Sequence, residues 1–194
     1  MSAARGRPAK RQPRGGWRGR LDAFGGPVVV GAIAVTVVVL ATLAVRAVPK
    51  AASTAPLRGE AVQIGPATHV DDASALQIPE GQPPAGGPHF VEELRAGISE
   101  QPVPDGRAIH SLEHGMIWIT YRPDLISASD LATLRKVARA YERDVILSPR
   151  PANTAAVSAV SWERRANMAS PVEERALRDF VTTNLNRSPE PGVR

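Results

Sequence analysis

From Ala23 to Val45 the chain carries no charged residue, and the nineteen residues from Pro27 to Val45, PVVVGAIAVTVVVLATLAV, are almost wholly apolar. A helix of that length spans about 29 Å, close to the roughly 30 Å hydrocarbon core of a bilayer. A cleaved signal peptide would have an apolar region of about 7 to 15 residues ending in a small-x-small site. Here the run is longer, and RAVPKAAS after it matches such a site poorly. The stretch therefore reads as an uncleaved transmembrane helix over residues 23–46, and everything else must fold on one side of it or the other.

The charge supplies the orientation. The net charge is +5, yet Arg5, Arg7, Lys10, Arg11, Arg14, Arg18 and Arg20 against Asp22 place +6 in the first 22 residues, leaving −1 for the rest. Basic residues resist translocation, so residues 1–22 are expected to be a disordered cytoplasmic tail lying near anionic lipid, with the C-terminal part outside the cytoplasm. Membrane lipid is thus the one partner the sequence indicates. The neutral remainder removes the argument for a nucleic-acid surface, and no protein partner can be named. With no cysteine, thiolate metal sites, disulfides and cysteine nucleophiles are excluded.

Residues 47–60 lack apolar periodicity and read as a linker; residues 61–191 read as one exported domain. Its first half contains PEGQPPAGGPH (79–89), too rich in Pro and Gly for a helix or a central strand. GMIWITY (115–121) is β-branched and aromatic and predicts a strand, with Ile117, Ile119 and Tyr121 on one face and His114, Met116, Trp118 and Thr120 on the other. Residues 127–144 predict a helix with Ser127 and Asp130 as a capping box. VILSP (145–149) and AAVSAVSW (155–162) predict two more strands. A second helix is expected from Ser170, as N-cap ahead of Pro171 with Glu173 completing the box, its buried stripe being Val172, Ala176, Leu177, Phe180 and Val181. The fold expected is α+β: a single N-terminal transmembrane helix followed by a small β-sheet domain with two helices packed on one face.

All four histidines, His69, His89, His110 and His114, fall within residues 69–114, and HSLEHG (110–115) adds Glu113. H-x-x-E-H matches the inverted zinc-protease motif, which needs a helix to place both imidazoles on one face. Gly115 and the β-forming run follow at once, so the stretch is expected instead at a loop–strand junction. Ser111 beside His110 does not indicate a nucleophile, because such triads are set in space.

Three readings stand. His89, His110 and His114, with His69 as a fourth candidate and Glu113 as ligand or orienter, suit a divalent metal such as Zn²⁺ or Cu²⁺. The same cluster could instead fix the shape of a proline-rich loop in a non-enzymatic envelope interaction module. Metal-dependent hydrolysis is the third reading, with no catalytic residue assigned.

Further along, TH at 68–69, QPPAGGPH at 82–89, IHSLEHGMIWITYRP at 109–123, VILSP and the terminal SPEP at 188–191 together resemble the DUF3105 family of bacterial proteins, typically a membrane-anchored domain of unknown function. The resemblance covers roughly residues 65–191 and rests on P-P-x-x-G-x-H combined with H-x-L-E-H-G. It implies that His69, His89, His110, Glu113 and His114 are working parts of the domain. The family loop usually reads P-P-T-S-G-x-H, whereas Ala85 and Gly86 stand here. A tyrosine common ahead of the two prolines is missing, and Ser99 stands where an aromatic is usual. The family has no established activity, so the resemblance implies a boundary and a site but no reaction.

Overall fold

The computed structural model describes residues 32–40 and 52–192. Residues 32–40 form a helix, α1, with exposed side chains. Among the described residues no helix is long and apolar enough to cross a membrane. The flanks of the expected span, 23–31 and 41–46, and the basic tail 1–22 lie outside the described residues.

Lys50–Arg194 forms a separate compact unit. Its described elements run β1 (Glu60–Ala61), β2 (Gly97–Ile98), α2 (Asp105–Glu113), β3 (Ile117–Tyr121), α3 (Ala128–Ala140), β4 (Val145–Pro149), β5 (Val157–Ser161), β6 (Arg164–Met168) and α4 (Glu174–Asn184). The six strands make one mixed sheet in the order β1-β6-β5-β3-β4-β2. β3 pairs parallel with β4 across the α3 crossover and antiparallel with β5, so β3 is central. It is buried on both faces, which is why IWITY is apolar at nearly every position.

The alternation read from the sequence holds. Ile117, Ile119 and Tyr121 face a core shared with Leu134 and Val137 of α3 and Leu177, Phe180 and Val181 of α4. Met116 and Trp118 face the other way, packing with Ala108, Ile109 and Leu112 of α2 and with Ala85. The mixed α+β sheet domain carries the two expected helices on one face, and α2 is an addition that covers the other. Trp118 sits fully buried there, its indole N–H donating to Ser148 Oγ at 2.9 Å.

Several local expectations are corrected. α4 starts at Glu174 rather than at Ser170, and Glu173 makes no side-chain cap bond. Ser170 instead donates to the carboxylate of Asp130 in α3, which also accepts from Val172 N–H at 2.7 Å, so a tertiary contact outcompetes the local box. Ser127 does cap α3, accepting from Asp130 N–H at 3.0 Å. Ala176 is exposed, and Leu185 takes its place in the buried stripe. The expected linker is partly built into the domain. Glu60–Ala61 pairs with β6, Asn184 exchanges hydrogen bonds with the Arg58 backbone, and Arg187 reaches the carbonyls of Ser53 and Ala55.

The loop-rich half is ordered by discrete ties. Residues 83–89 are buried. Arg165, itself buried, donates to Pro83 O at 3.1 Å and to Glu60. Arg150, at the end of β4, pairs with Asp105 at 2.7 Å and with Asn153 Oδ1 at 2.8 Å, fixing the start of α2 to the sheet.

Candidate functional site

The expectation that HSLEHG lies at a loop–strand junction is overturned. The helix extends upstream: Pro104 stands at its N-cap, and the turns through Asp105–Glu113 bury Ala108, Ile109 and Leu112 against the sheet. Those three positions, spaced i, i+1, i+4, were the available signal for a helical face. The helix then stops abruptly. Gly115 adopts φ +85°, its N–H bonds to Leu112 O at 2.9 Å, and Met116 N–H bonds to Ser111 O at 3.0 Å. This paired closure, a Schellman motif, lets a helix give way to a strand across only three residues. A Cβ at Gly115 would lie 2.8 Å from Asn186 Cα, so conformation and space both require glycine.

His110 and Glu113 therefore project from the last turn of α2. Their partners arrive on two loop segments joined by a parallel bridge between His69 and His89, closed by Val70 N–H to His89 O at 2.8 Å and His89 N–H to Thr68 O at 3.0 Å. The second segment is fastened to α2 in turn. Phe90 N–H bonds to Gly106 O at 3.2 Å, and Ser111 Oγ accepts from Leu94 N–H at 2.8 Å while donating to Leu94 O. Ser111 is thus a clamp on the loop, a role no sequence signal announced.

The rings of His69, His89 and His110 form a nearly equilateral triangle, with centroids 4.9, 5.0 and 4.9 Å apart. One donor atom from each of His69, His89, His110 and Glu113 lies within 4.8 Å of the others. His89, His110 and Glu113 are buried, whereas His69 is exposed at the mouth. The structure thus brings four of the five expected residues together. The His114 ring lies tilted against that of His110 at 4.6 Å but is not one of the four, and its buried Nδ1 faces Glu190 Oε2 at 3.8 Å.

Proton positions follow from the partners. His89 Nδ1 lies 2.8 Å from Gly87 O and His110 Nδ1 lies 2.9 Å from Phe90 O. A carbonyl only accepts, so both Nδ1 atoms carry hydrogen and, in the neutral ring, both Nε2 atoms carry a bare lone pair. His89 Nε2 is buried without a hydrogen-bond donor and stands 3.1 Å from Glu113 Oε2. Two lone pairs that close repel unless a proton or a cation lies between them. Burial, foremost, and the neighbouring His114 hold the His110 pKa below its ordinary value, against the opposing pull of the Phe90 carbonyl; His89 and His69 lower it further. The cluster also sits at the C-terminal end of α2, where the helix dipole favours positive charge.

A family model described as a protein of unknown function, DUF3105, matches residues 69–194. No curated protein and no solved structure matches the chain. The match spans the parallel bridge, the clamped loop, α2 and every strand of the sheet but β1, so the chain belongs to the DUF3105 family of proteins of unknown function.

Proposed function

We propose that this domain binds one divalent metal ion, Zn²⁺ or Cu²⁺, through His89 Nε2, His110 Nε2, Glu113 and His69, outside the cytoplasm on a protein anchored by residues 23–46. One observation carries the reading: two imidazoles, each held by an Nδ1–H bond to a backbone carbonyl, leave their Nε2 lone pairs for the site that Glu113 lines. Metal-ligating histidines are ordinarily oriented in this way. Bonds of about 2.0 to 2.1 Å place tetrahedral ligands roughly 3.3 Å apart. The His89–Glu113 separation of 3.1 Å already fits, and the widest pair at 4.8 Å needs closure by side-chain rotation. Imidazole and carboxylate without thiolate suit Zn²⁺ and Cu²⁺ better than Cu⁺.

The rival reading, a polar cluster that only shapes the loop in an interaction module, draws on the same 3.1 Å contact, with His89 doubly protonated and ion-paired to Glu113. Metal uptake by the full-length chain in detergent, stripped with chelator and titrated with Zn²⁺ and Cu²⁺, separates the two. One equivalent is expected for the natural protein and for His114→Ala, and none for His89→Ala/His110→Ala. Absence of stoichiometric uptake in the natural protein removes the metal reading and any metal-dependent hydrolysis with it.

A further inference from the structure

The four ligand candidates are not held alike. His89 and His110 are buried and each is fixed by a carbonyl, and Glu113 is buried on a helix whose last turn is closed by backbone bonds. His69 is exposed, and among the described residues its ring meets the His89 and His110 rings edge-on or tilted, at 4.9 and 5.0 Å, with no hydrogen bond to orient it. It stands on a segment without regular structure, tied to the site at the single bridge with His89. A structural metal site is closed by fixed ligands on every side. Here three buried donors, two of them held by carbonyls, line the site, and the one donor whose ring no hydrogen bond orients among the described residues is exposed.

From this asymmetry we infer that the site exchanges its ion with a carrier, taking up a borderline divalent cation such as Zn²⁺ by way of His69. This rests on the metal-binding reading above and makes the ion cargo rather than resident. The exchange is a ligand substitution without electron transfer. The neutral imidazole of His69 forms a bond to the ion while the ion is still held by its carrier, one carrier ligand departs, and the ion then passes to His89, His110 and Glu113. Rotation of an unfastened ring about two side-chain torsions takes ps–ns for exposed residues, so the ring is available for capture on any encounter. Charge also favours inward passage, because the buried carboxylate of Glu113 has an oxygen within 4.8 Å of the exposed imidazole that makes first contact.

The test is a stopped-flow transfer measurement on the full-length chain in detergent, with Zn²⁺ presented either as the hydrated ion or as its nitrilotriacetate complex. His69→Ala and His69→Gln are compared with the natural protein, and circular dichroism verifies the fold. The expected result is a fall of tenfold or more in the rate of transfer from the nitrilotriacetate complex, with uptake of the hydrated ion slowed far less. If His69 is only a fourth fixed ligand, both variants release Zn²⁺ faster and accept it from the complex at the natural rate, which overturns the inference while leaving the metal site standing. Unchanged capture and release in both variants overturns it as well. No Zn²⁺ binding by the natural protein overturns the metal-binding reading itself.

Discussion

His89 Nε2 lies 3.1 Å from Glu113 Oε2 while the opposite nitrogen of the same ring is committed to the Gly87 carbonyl. An acceptor facing an acceptor in a buried place is unstable unless something positive separates them, and the nature of that positive species decides the chemistry of the domain.

Glu113→Gln distinguishes a metal from a proton. The amide can donate to a neutral His89 Nε2, so the metal-free variant is expected to unfold in urea at or above the natural midpoint. Its Zn²⁺ affinity is expected to drop by more than the roughly 10- to 100-fold that follows the loss of a group which only orients ligands, as measured by competition with a chromogenic chelator. If an imidazolium–carboxylate pair were the native state, the same variant would lose about 3 kcal/mol or more of stability, as expected for a broken buried pair.

Bound metal should stabilise the fold by mass action. At a free Zn²⁺ concentration one hundred times the dissociation constant the gain is about 2.7 kcal/mol, read as a rise in thermal midpoint that chelator reverses. Because burial keeps His110 neutral to lower pH than an ordinary imidazole, proton competition at that ligand should set in only below about pH 6.5. A midpoint shift that vanished already between pH 8 and 7 would contradict this assignment.

Asp130 supplies a second pH dependence. Hydrogen bonds from Ser170, first, and from Val172 N–H hold its pKa below the ordinary carboxylate value. A carboxyl whose folded pKa is depressed contributes stability that is present above its unfolded value near 4 and is lost as pH falls through the folded one. Asp130→Asn should lower stability at pH 7 by about 1–3 kcal/mol and by progressively less under acid. Equal losses at pH 7 and pH 2 in urea titrations would show that the carboxylate charge does not matter.

Arg150→Met tests the frame behind the site. Its guanidinium is buried against Asp105, at the first residue of α2. Removing it leaves that carboxylate and Asn153 without their partner, and a loss of about 3–5 kcal/mol is expected. The Arg150→Met/Asp105→Leu pair should recover part of it in a double-mutant cycle.

Much of the sheet was legible because burial leaves a periodic trace: GMIWITY, VILSP and AAVSAVSW alternate or run apolar, and Ser127 caps α3 as its spacing predicts. β6 was not, since RRANM lies beside a sheet margin with half-exposed positions and owes its strand to pairing with β5. α2 was hidden by its neighbour. The β-rich run after Gly115 argued against a helix, and a six-residue closure from Ser111 to Met116, turning at one glycine, reconciles the two. The histidines were visible as a cluster in sequence, but that His69 meets His89 depends on a bridge between irregular segments, for which no residue pattern exists. His114 does lie beside His110, ring to ring at 4.6 Å, but that its Nδ1 faces Glu190, a residue far along the chain, no local pattern announced.

Near the C-terminus, Glu190 N–H bonds to Glu113 O and Gly192 N–H bonds to His114 O, each at 3.2 Å. Anything appended there begins within a few residues of the imidazole cluster. A polyhistidine purification tag following this segment would bring its own donors close to Glu113 and His114 and be counted as native ligand, so metal stoichiometry has to be measured with the affinity handle at the other terminus or removed.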